Sequence, residues 1–370
     1  MMKRMTACLI ALALLMVATS VSAELTKVEV KTRADIGASG FEKIVGTAYF
    51  EVDPIDPHNA VIADIDKAPR GPSGRVSFSS DIYIIRPKDA ARSNGIALVE
   101  VLNRGRKLVL SGFTKGATND PVSDADLGDR FLLDRGFTLV WIGWEFDVRR
   151  VNGLMGIAVP SAQGVNARVW ADFVPANTNE RQTVGDLVGY VPADPAAADS
   201  TLTVRESQFG AERPIDRTRW TIDATNMVGL TGGFEPGCIY RVSYRSKKLP
   251  ISGLGLAAFR DVGSWIKFAP GALVTTGKAL AFGSSQSGRF LRTFLYNGLN
   301  GDEKGRQVYD AAWVHIAGCG GARRERARRD ADVAHDVQIT RFPVQANQAT
   351  RDPISGKVDR APPTTTARGA

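Results

Sequence analysis

The run Ala281-Phe-Gly-Ser-Ser-Gln-Ser-Gly-Arg-Phe290 carries the clearest chemistry in the chain. An apolar, strand-like stretch enters Gly283-Ser-Ser-Gln-Ser-Gly288 and leaves as an amphipathic helix. A strand that turns this tightly into a helix lifts one hydroxyl above the sheet edge, and the residues two before and two after it must be very small. Gly283 stands two before Ser285; Ser287 stands two after, where Gly is usual, and Gly288 follows at once. Ser285 is therefore the candidate nucleophile. The backbone N–H of Gln286, at a helix N-terminus where unpaired donors and the positive dipole end converge, is the candidate oxyanion donor. The competing reading of the same residues is a serine N-cap. A phosphate loop is excluded, because neither Gly-Lys-Ser/Thr nor G-x-G-x-x-G is present.

A second oxyanion donor in such a site comes from the loop after an earlier buried strand. Here that strand is 96–102 and the loop is Asn103-Arg-Gly-Arg106, so Asn103 and Arg104 are the candidates. A serine nucleophile also needs a base oriented by a carboxylate, in the chain order Ser, acid, His. The chain has three histidines, and only His315 and His335 follow Ser285. His315 lies inside the apolar strand 311–317, where a packed, buried histidine is expected. His335, flanked by Asp332 and Asp336, is left as the candidate base, with Asp332 as its acid. His58 belongs to a turn.

Stepping outward, the elements that must position these groups alternate strand, helix, strand, helix. Short buried strands are expected at 96–102 and 137–144, a helix at 128–135 ending at Gly136, a helix at 256–268, a strand at 279–283, a helix at 288–299 and a strand at 310–317. Such alternation with short links predicts an α/β fold: a mostly parallel sheet with helices on both faces. The region 24–95 reads as β-rich, with alternating stretches at 25–32, 44–52, 60–66 and 75–86. Residues 146–250 mix short strands with Pro, Asn and Asp turns and read as a β-rich insertion that caps or widens a pocket. Trp141 is expected in the core, and Trp144 at core or pocket.

The 370 residues are 44% hydrophobic and 23% charged, an ordinary globular composition. The formal net charge of +8 gathers at the ends: Lys3 and Arg4, and residues 321–370 with ten Lys/Arg against six Asp/Glu. The body has no basic face, so a nucleic-acid partner is not expected. Residues 1–23 have the form of a signal peptide: a basic start, an apolar run from Cys8 to Val17, and Val21-Ser-Ala23 as the cleavage site. The mature chain is expected to be exported, periplasmic or secreted, with no stable membrane span. Cys238 and Cys319 would survive cleavage and are read as free or buried thiols. Neither they nor the histidines have metal-site spacing, so no metal and no cofactor are expected. The main domain is placed at 24–320, and 321–370 is expected to be a basic, poorly ordered tail.

Five stretches taken together carry a resemblance: Gly40–Pro54, Val99–Gly105, Phe131–Trp144, Gly253–Asp261 and Gly283–Arg292. In this order they resemble a family of exported bacterial α/β-hydrolase-domain proteins of poorly defined activity. The resemblance implies a serine-hydrolase fold with Ser285 as nucleophile and supplies no substrate; the serine nucleophile itself points to a small-molecule ester or amide. It breaks after Ala317, where family members add the strands and loops that deliver acid and histidine. Here an Arg/Ala-rich segment follows, and Asp352–Asp359 reads as a remnant. The expectation is thus a C-terminally truncated relative, either esterase-like or inactive and serving as a binding module or nothing.

Overall fold

The computed structural model describes residues 24–317, except Asn152, Asn166, Asp186 and Leu187, together with the backbone of 335–338, 350–351 and 358–359. The first three strands are long: β1 (Glu24–Asp35), β2 (Phe41–Val52) and β3 (Val76–Pro87). Three shorter ones follow, β4 (Ile96–Val101), β5 (Thr138–Ile142) and β6 (Ile157–Ala158). The insertion contributes β7 (Ala167–Phe173), β8 (Arg181–Thr183), β9 (Thr201–Arg205), β10 (Arg213–Ile215), β11 (Trp220–Ile222), β12 (Met227–Leu230) and β13 (Ile239–Ser246). Last come β14 (Lys278–Ser284), β15 (Ala311–His315) and β16 (His335–Gln338). The helices are α1 (Val109–Phe113), α2 (Leu254–Phe268) and α3 (Gln286–Tyr296).

One eight-stranded sheet runs β1-β2-β3-β5-β4-β14-β15, with β6 beside β3. It is mixed rather than mostly parallel. β1, β2, β3 and β5 pair antiparallel in succession, whereas β5, β4, β14 and β15 pair parallel. The five-residue link 36–40 between β1 and β2 permits only antiparallel pairing, whereas the segments 102–137 and 285–310 are crossovers long enough to return β5 beside β4 and β15 beside β14 in parallel.

The central strands are buried on both faces, and the period of two sorts their side chains. Ala97, Val99 and Val101 of β4, Val140 and Ile142 of β5, and Ala279 and Ala281 of β14 face a core shared with α2 and α3. There Phe259, Phe290, Phe294 and Tyr309 stack and edge-pack, each ring contributing about 2 kcal/mol or more by burial. Leu98, Leu139, Trp141 and Phe282 face the opposite side, against Val109 and Leu110 of α1 and the turns around Leu132 and Leu133. Trp141 is fully buried, as expected.

Two expected elements are absent. Residues 60–66 form tight turns rather than a strand, held by Asn59, whose side chain donates to Asp53 O at 2.8 Å and Glu303 Oε1 at 2.5 Å. The fully buried Arg260 also reaches Asn59 Oδ1, at 2.8 Å. Residues 128–135 form successive turns rather than a helix, because Gly128 and Arg130 both take positive φ (59° and 53°), which a right-handed helix cannot contain.

The insertion is β-rich as read. Its strands β10, β9, β13 and β7 form one sheet in that order, with β16 from outside the insertion beside β7, and β11-β12-β8 form a three-stranded sheet. These close over a core of their own, with Trp220, Phe234, Tyr240 and Tyr244. Phe146 packs edge-on against Tyr190 at 5.4 Å, joining that core to the end of β5. Among the described residues, no helix is long and apolar enough to cross a membrane.

Candidate active site

Strand order reverses at β4: the chain steps from β4 to β5 on one side, and β14 lies on the other. In open α/β sheets, ligands bind outside the carboxyl ends of strands at such a switch point. The carboxyl ends of β4 and β14 lead into the loop 103–106 and into Ser285, so the topology brings the sequence candidates together.

Ser285 has φ 59° and ψ −112°, and its side chain makes no capping bond to α3. An N-cap serine has β-region angles and accepts from the first turn; this one does neither, so the capping reading fails. The strained turn is held by what surrounds it. Ser285 N–H donates to His315 O at 3.0 Å on the neighbouring strand. A Cβ on Gly283 would stand 2.5 Å from Ser287 O, and one on Gly288 would stand 2.8 Å from His315 O. Both glycines are therefore required by close approach. Ser287, in the place of the usual glycine, is fully buried, and its hydroxyl donates to Leu102 O at 2.9 Å. That bond satisfies the extra polar atom and ties the elbow to the end of β4.

Leu102 O also accepts from Trp144 Nε1 at 2.7 Å, and Asn103 Nδ2 donates to Ser284 O at 3.1 Å. Asn103 N–H donates to Arg106 O at 3.2 Å, closing the loop on itself. Asn103 thus holds the elbow by its side chain, while its backbone donor is engaged locally. Arg104 has φ 52° at the loop apex. Its guanidinium donates to Glu145 Oε1 at 2.8 Å and Asp147 Oδ1 at 3.0 Å.

Glu145 Oε1 also accepts from Gln286 Nε2 at 2.8 Å. One buried carboxylate, following the end of β5, therefore links the loop after β4 to the elbow after β14. Burial pushes its carboxyl up from the ordinary range, and the Arg104 charge works against that shift. The backbone N–H of Gln286 is in the first turn of α3, where no intrahelical acceptor exists. A half-buried hydroxyl on Ser285, a first-turn N–H beside it and the positive helix end together suit attack on a carbonyl and stabilisation of the oxyanion.

Among the described residues, no histidine ring is hydrogen-bonded to Ser285 Oγ. His335 opens β16, with its backbone opposite Ala167 of β7 in the insertion sheet, and its side chain lies outside the described residues, as does Asp332. His315 is exposed at the end of β15 rather than packed, with Nδ1 3.2 Å from Ser284 Oγ. Among the described strands, β15 is the last of the sheet path, and its residues 311–313 are exposed with it. His58 sits in a turn, with Nδ1 2.8 Å from Asp56 Oδ1. Sequence reasoning missed Glu145. Its available signal was a charged residue one step beyond Trp144, at the end of a strand otherwise buried on both faces.

Cys238 is a free thiol 3.5 Å from Glu235 Oε2, and Cys319 lies outside the described residues. Among the described residues, no group of three or more His, Cys, Asp or Glu is placed to hold a metal ion.

A family model described as an alpha/beta hydrolase domain matches residues 225–366. The match takes in α2, the elbow, α3 and β15, and continues across the Arg-rich segment and Asp352–Asp359. Three of the stretches that carry the resemblance, 40–54, 99–105 and 131–144, lie before it. No curated protein and no solved structure matches the chain. The match supports hydrolase-like function at the coarse level of an alpha/beta hydrolase domain.

Proposed function

We propose that this protein is an exported serine hydrolase that cleaves an ester or amide of a small molecule through an acyl-Ser285 intermediate. The observation that carries the reading is the conformation of Ser285: a left-handed, uncapped serine between a parallel strand and a helix, half-exposed at the switch point. Such strain persists only where surrounding structure maintains it, and here Gly283, Gly288, Ser287 and His315 do so. Ser285 Oγ attacks the carbonyl carbon, the carbonyl oxygen gathers charge against the Gln286 N–H, and the leaving group departs with a proton. Water then releases the acyl group. His335, with Asp332, is the base suggested by chain order. Export is supported by the basic start, apolar run and small-residue site within residues 1–23.

Turnover of p-nitrophenyl esters tests the reading. The expected result is a burst of p-nitrophenol equal to the enzyme concentration, falling at least a hundredfold in rate in Ser285→Ala. Linear, burst-free turnover that is unchanged in that variant would overturn it.

A second reading, an inactive relative that serves as a binding module, has one observation in its favour. Among the described residues the two histidine rings, His58 and His315, bond to Asp56 and Ser284, not to Ser285. Absence of any ester turnover by the folded full-length chain would select it.

A further inference from the structure

We propose that Ser284 and His315 form a second nucleophile–base pair beside Ser285, so that the site holds two acylatable serines. This inference rests on the hydrolase reading above and deepens it. Ser284 and His315 are register partners on the parallel strands β14 and β15. Two residues earlier, Phe282 and Trp313 are partners in the same way, their rings 5.6 Å apart and both edge-packed on Phe113. The period of two thus carries Ser284 and His315 onto the face of this aromatic ladder, as its last rung at the carboxyl edge.

There the hydroxyl and Nδ1 are 3.2 Å apart, within the reach a nucleophile and its base need, and such bonds tighten once substrate is bound. His315 is exposed and Ser284 half-buried, so an acyl donor arriving at the switch point meets both. The imidazole ring rests edge-on against Trp313 at 6.3 Å, which limits its swing. The ladder also connects the two serines: the His315 carbonyl holds Ser285 N–H at 3.0 Å, while the His315 ring holds the Ser284 hydroxyl.

The step balances without a co-reactant. With Nδ1 as acceptor and the proton on Nε2, His315 takes the Ser284 Oγ proton as Oγ bonds to the carbonyl carbon. The bond to the leaving group breaks, and His315 returns its proton to that group. Water deacylates Ser284 by the same route in reverse. No carboxylate orients His315 among the hydrogen bonds described, so Ser284 is the slower of the two nucleophiles.

The test is fluorophosphonate labelling of the full-length chain, with fragment mass spectrometry that separates Ser284 from Ser285. In this reaction Oγ–P forms, P–F breaks, and the serine proton leaves through His315. Four chains are compared: wild type, Ser285→Ala, Ser285→Ala with His315→Asn, and Ser285→Ala with Ser284→Ala, each checked for native circular dichroism. The expected result is an adduct on Ser284 in Ser285→Ala. Its rate falls on the order of 10²-fold with His315→Asn, and the adduct vanishes with Ser284→Ala. A Ser285→Ala chain that takes no label, or whose Ser284 label is indifferent to His315, overturns the inference and leaves the Ser285 reading standing. A wild-type chain labelled on Ser284 alone supports the pair and overturns the Ser285 reading. A wild-type chain labelled on neither overturns both.

Discussion

Gln286 Nε2 donates to Glu145 Oε1 at 2.8 Å, and Arg104 donates to the same oxygen at the same distance. The residue after Ser285 and the apex of the neighbouring loop are thus held by one buried carboxylate. Glu145 joins the loop after β4 to the elbow, in addition to the direct bond from Asn103 Nδ2 to Ser284 O at 3.1 Å.

Removing that link should misplace the donors more than it weakens the fold. Arg104 keeps Asp147, so Glu145→Ala costs about 2 kcal/mol of stability, the scale of a hydrogen bond to a charged group. Ester turnover should fall tenfold or more in kcat with KM little changed, because the lost interaction serves the transition state. Glu145→Gln, which keeps one acceptor, should recover part of the rate. Urea denaturation and steady-state kinetics of the two variants check this, and an unchanged kcat in Glu145→Ala would refute the role.

The elbow leaves no room for side chains at its glycines. Gly283→Ala places a Cβ against backbone, 2.5 Å from Ser287 O, and backbone cannot move aside cheaply. A loss of about 1–3 kcal/mol is expected, as for overpacking of a filled interior. Chemical denaturation of Gly283→Ala against Gly277→Ala, whose Cβ would meet nothing within 4 Å, isolates the effect. Equal losses would contradict it.

Ser287 should prove a structural serine. Its hydroxyl and the Trp144 indole share the Leu102 carbonyl, so either bond alone leaves that acceptor satisfied. Ser287→Ala should cost about 1 kcal/mol, and combining it with Trp144→Phe should cost more than the two separate losses added. A double-mutant cycle by thermal denaturation measures this coupling; simple additivity would speak against a shared acceptor.

Glu100 makes stability depend on pH. It is buried beneath the loop, accepting from Leu108 N at 2.7 Å, Val109 N at 2.8 Å and the Trp141 indole. Burial pushes its carboxyl from 4.5 up to about 7, against these donors and the Lys107 charge. Between those values the folded chain holds a proton that the unfolded chain does not. The stability this group contributes is therefore complete below about pH 4.5 and is lost as pH rises through about 7. Tm of wild type should fall relative to Glu100→Gln between pH 5 and about pH 7.5. Parallel Tm curves for the two chains would show that Glu100 does not titrate in this window.

How far the sequence reached is clear from particular residues. Strands β4, β5 and β14 were legible because a strand buried on both faces reads as a short apolar run, and the strand-to-helix turn at Ser285 because Gly283 and Gly288 bracket it. The apparent helix at 128–135 was not. Its pattern is helical, and only tertiary contacts, such as Asp129 N–H on Lys115 O at 3.0 Å, impose the left-handed turns. His315 was read as buried because its strand is apolar. Its exposure goes with the place of β15 at the end of the path of described strands, which is a property of topology rather than of local composition. The role of Glu145 was not legible beyond its charge at the end of an apolar strand, because its partners, Arg104 and Gln286, lie 41 and 141 residues away in sequence.

The measurement closest to the central claim is the intact mass of the wild-type chain after fluorophosphonate treatment, followed by fragment mapping. The account predicts one dominant adduct per chain, and that adduct on Ser285. A folded chain that stays unmodified, or one modified only at residues other than Ser285, would contradict it.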